Sequence, residues 1–191
     1  MFHRHPLEIV MVVMNKIPRR PIQLNRTLVL SLKKQPVTKL RGFGIVRAGT
    51  PSDIPGMCTI ENKESDLFLR RFNKKDHCVV AMDYNSRIIG YCWFTDKQVH
   101  VEELSGFRLD IHPNALYAYD AVIKSEYRTR GIWVLFQKFM IEQARELGRY
   151  SIITMVDFNN EASLKAHLRF GYVISRDIIS LRIFDKWIYY K

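Results

Sequence analysis

The residues 128–132, Arg-Thr-Arg-Gly-Ile, combine positive charge and backbone freedom directly before an apolar run. The first N–H groups of a helix have no partner within the helix and lie at the positive end of its dipole. Several of these amides can bind one anion, glycine lets the ligand approach the main chain, and arginine can bind phosphate oxygens bidentately. The pattern indicates a pyrophosphate site, and the alternative is a plain basic loop before an amphipathic helix.

The elements around this segment predict how it is positioned. Residues 116–123 form an apolar strand before it. After it, Ile132, Phe136 and Met140 share one face at helical spacing, and Gly148 follows where a helix-ending glycine belongs. Residues 151–158 form the next strand, so the whole segment predicts a right-handed strand–helix–strand crossover between parallel strands.

The rest of the chain predicts a mostly antiparallel sheet with flanking helices. The predicted strands are 43–47, 78–83, 87–94, 97–104, 172–175 and 178–190, and the predicted helices are 54–61, 65–72 and 161–170. Residues 83–86 make a hairpin turn, and Asn160 and Gly171 cap the last helix. In the second helix Leu67, Leu69 and Phe72 supply the apolar positions. The fold class is therefore α+β with a mixed sheet, while residues 27–32 fit either a strand or a helix.

Composition and charge favour a globular protein with a basic N-terminal extension. The chain has 191 residues, 47% of them hydrophobic, and a net charge of +11. Residues 1–41 hold nine Lys and Arg against one Glu, so they carry +8 of that charge. We therefore predict an extension at 1–41 and a domain at 42–191. The extension either contacts an anionic membrane surface or an acidic partner, or is a solvated face.

Several classes of protein and site are not expected. The longest N-terminal apolar run, residues 9–14, is too short to span a bilayer, and no signal-peptide cleavage site follows it. Three cysteines without metal or redox spacing favour a reducing compartment, so we expect a cytoplasmic protein without a metal site. Nucleic-acid binding is not expected, because no surface interleaves basic and aromatic residues. The dinucleotide and P-loop glycine motifs are both missing from the sequence.

Two segments resemble motifs of the GNAT superfamily of acyl-CoA-dependent N-acyltransferases. In DAVIKSEYRTRGIW, Arg128 and Gly131 match the first and fourth positions of the family's [Q/R]-x-x-G-x-[G/A] pyrophosphate loop. NEASLKAHLRFGY, residues 160–172, is similar to the family's later helix motif. The order of elements is also that of the family. Trp133 departs from the Gly or Ala of the sixth loop position, and Ser125 replaces the usual Pro.

The resemblance implies acetyl-CoA as the acyl donor. Its pantetheine arm would pair with the strand 120–123, and its pyrophosphate would lie on the amides of the loop. The cofactor-binding residues implied in this way are Val122, Ile123, Arg128, Thr129, Arg130, Gly131, Ile132, Trp133 and Asn160.

The resemblance also implies direct attack of an amine on the thioester, without an acyl-enzyme. Asp120 is the candidate base, with Glu102 and Glu103 as further options, and His167 is the candidate acid for the thiolate. Tyr119 is the third catalytic candidate, on the substrate side. The alternatives without a catalytic role are a surface carboxylate for Asp120 and helix packing for His167. We expect a small-molecule amine or amino sugar as acceptor and, as in many family members, a homodimer. The alternative function is an inactive acyl-CoA-binding or scaffold module.

Overall fold

A computed structural model of the chain describes residues 22–33, 42–61, 63–103, 105–183 and 186–190. The described strands are β1 Ile22–Leu32, β2 Ile45–Ala48, β3 His77–Met82, β4 Ile88–Thr95, β5 Val99–Val101, β6 Arg108–Asp110, β7 Ala115–Ile123, β8 Ser151–Asp157, β9 Val173–Ile183 and β10 Lys186–Tyr190. The described α-helices are α1 Ile54–Cys58, α2 Ser65–Asn73, α3 Ile132–Glu146 and α4 Glu161–Phe170. Most of the predicted extension 1–41 lies outside the described residues, and its boundary stays a prediction.

The described chain divides into two units. The loop unit comprises residues 32–100 and 110–154, and it contains the segment 128–132. The terminal unit comprises the described parts of residues 1–31, 101–109 and 155–191. Each unit has its own ladder of strands and is described by itself.

In the loop unit, β2, β3, β4 and β7 form an antiparallel ladder, and β8 continues it in the parallel direction. The parallel pairs run from Ala115 with Ser151 to Ala118 with Thr154. The long helix α3 connects the two strands, because parallel neighbours need a crossover between them. The predicted crossover and the mixed α+β class are therefore confirmed.

The hairpin of β3 and β4 is also confirmed, and local chemistry explains its turn. The Asp83 side chain accepts hydrogen bonds from the backbone N–H groups of Asn85 and Arg87, each at 2.9 Å. An aspartate that bonds the backbone two residues on stabilises such a turn. Ser86 takes a positive φ of 61° within it.

The buried residues of α3 agree with the sequence pattern, and those of α2 agree only in part. On α3, Ile132, Phe136 and Met140 are buried as their spacing predicts. On α2, the prediction is wrong in detail, because Phe68 and Arg71 are the buried residues and Leu69 is 45% exposed. The helix is turned so that an arginine faces the protein interior.

The terminal unit consists of β1, β9 and β10 in an antiparallel ladder, with α4 before β9. Residues 27–32, which fitted either a strand or a helix, belong to the strand β1. The predicted strands 172–175 and 178–190 are wrong in their boundaries. Pairing with β1 keeps β9 continuous through Arg176 and Asp177, and β10 begins only at Lys186.

Candidate functional site

The segment 128–132 forms a tight loop into the N-terminus of α3. Thr129 and Gly131 both have left-handed backbones, with φ of 61° and 79°. Gly131 is the N-cap residue, and no side chain of the described chain caps the helix there. Residue 131 therefore places no side chain between the first backbone amides of α3 and an anion that binds there.

A second segment of the loop unit supports this loop from behind. The backbone N–H of Phe43 donates to the carbonyl of Arg130 at 2.9 Å. A Cβ added to Gly42 would lie 2.7 Å from the carbonyl oxygen of Gly131, so this close contact needs glycine. The Phe43 ring lies 5.4 Å from the Arg130 guanidinium, within the range of a cation–π contact.

The arginine side chains of the loop bond to the protein itself in this structure. The Nε of Arg128 donates to the carbonyl of Ile123 at 3.1 Å, and the Arg130 guanidinium lies 5.4 Å from the ring centroids of both Phe43 and Tyr127. The main-chain amides are therefore the anion donors that the loop presents, and the exposed guanidinium groups add positive charge around them. Trp133, where the motif has a small residue, is half-buried on the first turn of α3.

The strand β7 before this loop carries a bulge at Asp120. Tyr91 pairs with Val122 and Trp93 pairs with Tyr119, so β7 has one more residue than β4 across this interval. Asp120 takes a left-handed φ of 48°, which is uncommon for a residue with a side chain. A bulge leaves a residue out of the ladder and re-aims a side chain. Beyond the parallel pairs with β8, β7 continues past this bulge to Ile123.

The carboxylate of Asp120 is held by two cations. Lys63 Nζ donates to its Oδ1 and Arg71 Nη1 donates to its Oδ2, each at 2.5 Å. The side chain of Asp120 is 16% exposed and that of Arg71 is 6% exposed. Each carboxylate oxygen retains a second lone pair. The carboxylate is therefore bound through both oxygens and can still accept one further hydrogen bond on each.

Tyr119 belongs to a second polar group on β7. Its hydroxyl donates to Asp76 Oδ2 at 2.9 Å, and Asp76 also accepts from Lys97 Nζ at 2.8 Å. The Tyr119 ring is tilted against the His100 ring, with 4.5 Å between ring centroids, and lies 5.1 Å from the Arg71 guanidinium. Tyr119 is thus fixed by its hydroxyl and by its ring.

Asn160 and His167 belong to the terminal unit. Asn160 Oδ1 accepts from the backbone N–H of Ser163 at 3.1 Å, and Gly171 ends α4 with a φ of 110°, so both predicted caps are confirmed. His167 Nδ1 donates to the carbonyl of Ser163 at 2.8 Å. A carbonyl only accepts, so this nitrogen carries the hydrogen, and in the neutral ring Nε2 is an acceptor.

Burial lowers the pKa of His167, against the opposing effect of the hydrogen bond to Ser163. The imidazole is therefore neutral at pH 7. A neutral ring with hydrogen on Nδ1 has no proton to donate from Nε2. This geometry suits an acceptor of a proton, or a packing residue beside Tyr172, better than the acid that the resemblance implies.

Sequence reasoning missed Lys63, Arg71, Tyr91 and Phe43 as parts of the site. One signal was present for Arg71, because it lies three residues after Phe68 on the same helical face. Lys63 and Tyr91 carry no such local signal. Within the described part of the chain, no group of three or more His, Cys, Asp or Glu is arranged to hold a metal ion. No described helix has the length and apolarity to span a membrane.

Comparison with known proteins adds the family to this geometry. Residues 52–172 match the Acetyltransferase (GNAT) family. The chain belongs to the GNAT acetyltransferases. The donor of this family is acetyl-CoA, and the residues on the loop fit its pyrophosphate, because no side chain among the described residues caps the N-terminus of α3 and Gly131 is left-handed.

Individual GNAT relatives are distant. Two L-methionine sulfoximine/L-methionine sulfone acetyltransferases, from Pseudomonas paraeruginosa and Pseudomonas aeruginosa, are each 24% identical over 58% of this chain. The match spans 59% of the length of these relatives. An acetyltransferase from the GNAT family from Colwellia psychrerythraea has a TM-score of 0.60 at 10% identity, over 89% of this chain and 57% of its own.

A GNAT family N-acetyltransferase (YhbS) from Escherichia coli, solved in complex with CoA, has a TM-score of 0.50 at 19% identity. The match covers 70% of this chain and 71% of that one. At these identities the solved structures establish the fold alone.

Proposed function

We propose that the protein is an N-acetyltransferase that moves the acetyl group of acetyl-CoA to the primary amine of a small molecule. The observation that carries this proposal is the loop itself: an uncapped N-terminus of α3 behind the left-handed Gly131, directly after a bulged strand. Family membership supports it, and so does the activity named for the two Pseudomonas relatives.

Acetyl-CoA supplies an acetyl group activated as a thioester. In the proposed complex, the amides from Arg128 to Trp133 bind its pyrophosphate, and the main chain of Val122 and Ile123 pairs with its pantetheine arm. The bulge at Asp120 leaves main-chain groups out of the ladder, and these are candidate donors to the carbonyl oxygen. Asn160 is a further candidate contact of the cofactor.

The proposed reaction is direct transfer. A bond forms between the amine nitrogen and the carbonyl carbon, the carbon–sulfur bond breaks, and the sulfur leaves with the electron pair and takes up a proton. The ammonium form of the acceptor must first lose a proton, and Asp120 is the candidate acceptor of that proton. Tyr119 is proposed to line the acceptor side, and His167 is proposed to act as a proton acceptor or as packing. Holding the reactants together supplies much of the rate.

A second candidate function is an inactive module that binds acyl-CoA. The specific observation that favours it is the double ion pair of Asp120, because both oxygens of the candidate base already accept hydrogen bonds from Lys63 and Arg71. Both candidate functions include binding of acyl-CoA, but only the acetyltransferase transfers its acetyl group to an amine.

The experiment follows thiol release from acetyl-CoA with a panel of small amines, amino acids and amino sugars, together with the mass of each product. A product heavier by one acetyl group supports the proposal. Intact-protein mass after mixing with acetyl-CoA alone tests direct transfer, and an acetylated protein that then passes its acetyl group to the amine would refute it. Stabilisation by acetyl-CoA without acetylation of any amine would favour the inactive module.

A further inference from the structure

We propose that the acceptor carries a carboxylate beside its amine, and that Lys63 and Arg71 bind this carboxylate next to the bulge of β7. This inference rests on the proposed function and names the class of its substrate. The acceptor is then a zwitterion, such as an α-amino acid, and the sites for both of its charges come from the α1–α2 loop, α2 and β7.

The charges at this place are balanced and close together. Lys63 Nζ lies 2.5 Å from Asp120 and 2.9 Å from Glu61, while Arg71 holds the other oxygen of Asp120. Two cations therefore face two carboxylates. A buried charge without a partner is costly. A zwitterion adds one charge of each sign and keeps the balance, whereas a simple ammonium adds a positive charge with no counterpart.

The exposure of these side chains decides which of them a ligand reaches first. Lys63 is 29% exposed and Glu61 is 42% exposed, while Arg71 is 6% exposed below them. A ligand carboxylate can therefore reach Lys63 from solvent and then exchange with Asp120 beside Arg71. The ammonium of the same ligand would lie against Glu61 and Asp120, where its proton can leave.

Two buried donors beside this cluster have no hydrogen-bond partner among the described residues. They are the hydroxyl of Tyr91 and Nε1 of Trp93, two residues apart on the same face of β4, and both side chains are fully buried. Lys63 Nζ lies 5.8 Å from the ring of Tyr91, and the Arg71 guanidinium lies 5.3 Å from the ring of Trp93.

The two donors indicate which kind of ligand suits this place. An unpaired buried polar group is destabilising, and an indole N–H can only donate. Burial, and then the negative charges of Asp120 and Glu61, raise the pKa of the Tyr91 hydroxyl, so it keeps its hydrogen at pH 7. Two donors beside two cations suit a ligand with oxygen acceptors and a negative charge, which a carboxylate supplies.

The test compares neutral L-amino acids with their carboxamides, which have the same shape without the negative charge. In the wild-type protein we expect kcat/KM to be at least tenfold higher for the acid than for the amide. In Lys63→Met this ratio should fall severalfold while KM for acetyl-CoA is unchanged, because Arg71 retains part of the preference, and Lys63→Arg should restore it. The matched control is Lys165→Met, which removes another lysine paired with a carboxylate and should leave the ratio unchanged.

Four results would overturn the inference or separate it from the proposed function. Equal use of acid and amide by the wild type would refute the carboxylate site and leave the acetyltransferase intact. An acid-to-amide ratio of kcat/KM in Lys63→Met equal to that of the wild type would likewise refute the carboxylate site and leave the acetyltransferase intact. Thermal stabilisation by the acids and not by the amides in the presence of CoA, together with no acetylation of the acids when acetyl-CoA is supplied, would support the site and refute the proposed reaction. No stabilisation by the acids would refute the site.

Discussion

Replacing Gly131 with Asp should abolish the binding of acetyl-CoA while the protein remains folded. Gly131 is the N-cap of α3 with a φ of 79°, and aspartate is among the residues that tolerate this backbone region. The strain costs about 1 kcal/mol of unfolding free energy. The new carboxylate would lie at the amides that we propose as the pyrophosphate site.

The size of the effect follows from charge and distance. Two like charges about 4 Å apart near a protein surface repel by about 4 kcal/mol, which is roughly a thousandfold in Kd. At about a hundred times the wild-type Kd, acetyl-CoA should add about 2.7 kcal/mol to the stability of the wild type, or roughly 5–11 °C in Tm. In Gly131→Asp the same concentration should add less than about 0.1 kcal/mol, which is no measurable shift.

The assay is thermal unfolding with and without acetyl-CoA, and the chain offers a matched control. Gly148 follows the C-terminal end of the same helix and has a φ of 66°, and a Cβ added to it would meet open space. Gly148→Asp adds the same charge and similar strain, and it should keep the full ligand shift. The reasoning is refuted if Gly131→Asp keeps the shift as well, because the pyrophosphate then binds elsewhere.

Three further predictions concern the supporting residues. Arg71→Met leaves the part-buried Asp120 with Lys63 as its remaining cation and should lower the urea-measured unfolding free energy by about 1.5–3 kcal/mol, the range for a hydrogen bond to a charged group; a loss below about 0.5 kcal/mol would contradict a stabilising pair. Because the pKa of His167 is lowered in the folded protein, the unfolded chain binds a proton at this imidazole more readily than the folded chain does. The wild type should therefore lose stability relative to His167→Gln as the pH falls through about 6.5. Parallel stability curves between pH 5 and 8 would contradict this. Phe43→Ala removes the ring beside Arg130 and should raise KM for acetyl-CoA about two- to fivefold with kcat unchanged; a fall in kcat alone would argue against a loop-positioning role.

Local chemistry made much of the fold and of the loop before α3 predictable. Asn160 caps α4 through a bond to an amide three residues away, and Gly131 provides a backbone conformation that other residues rarely adopt. Both effects involve neighbours in the chain, so the residue type alone indicates them. Alternating and helical patterns likewise predicted the β3–β4 hairpin and the crossover through α3.

The errors have a different physical origin. The strand boundaries near the C-terminus were wrong because β1, far away in the chain, pairs with β9 and keeps it continuous. The buried face of α2 was wrong because Arg71 faces inward to reach Asp120, 49 residues later. Apolar periodicity does not register a buried charge whose partner comes from a distant strand.

The sequence by itself determined the class of the fold, the glycine at the start of α3 and the resemblance to the GNAT family. These depend on spacing within segments of about 15 residues, where each residue acts on its near neighbours. Only the tertiary structure decided what surrounds Asp120. A one-residue bulge in β7 turns its carboxylate toward Lys63 and Arg71, and β4 brings the donors of Tyr91 and Trp93, which have no hydrogen-bond partner among the described residues, to the same place. Register and long-range packing set these contacts, and neither is encoded by any one stretch of the chain.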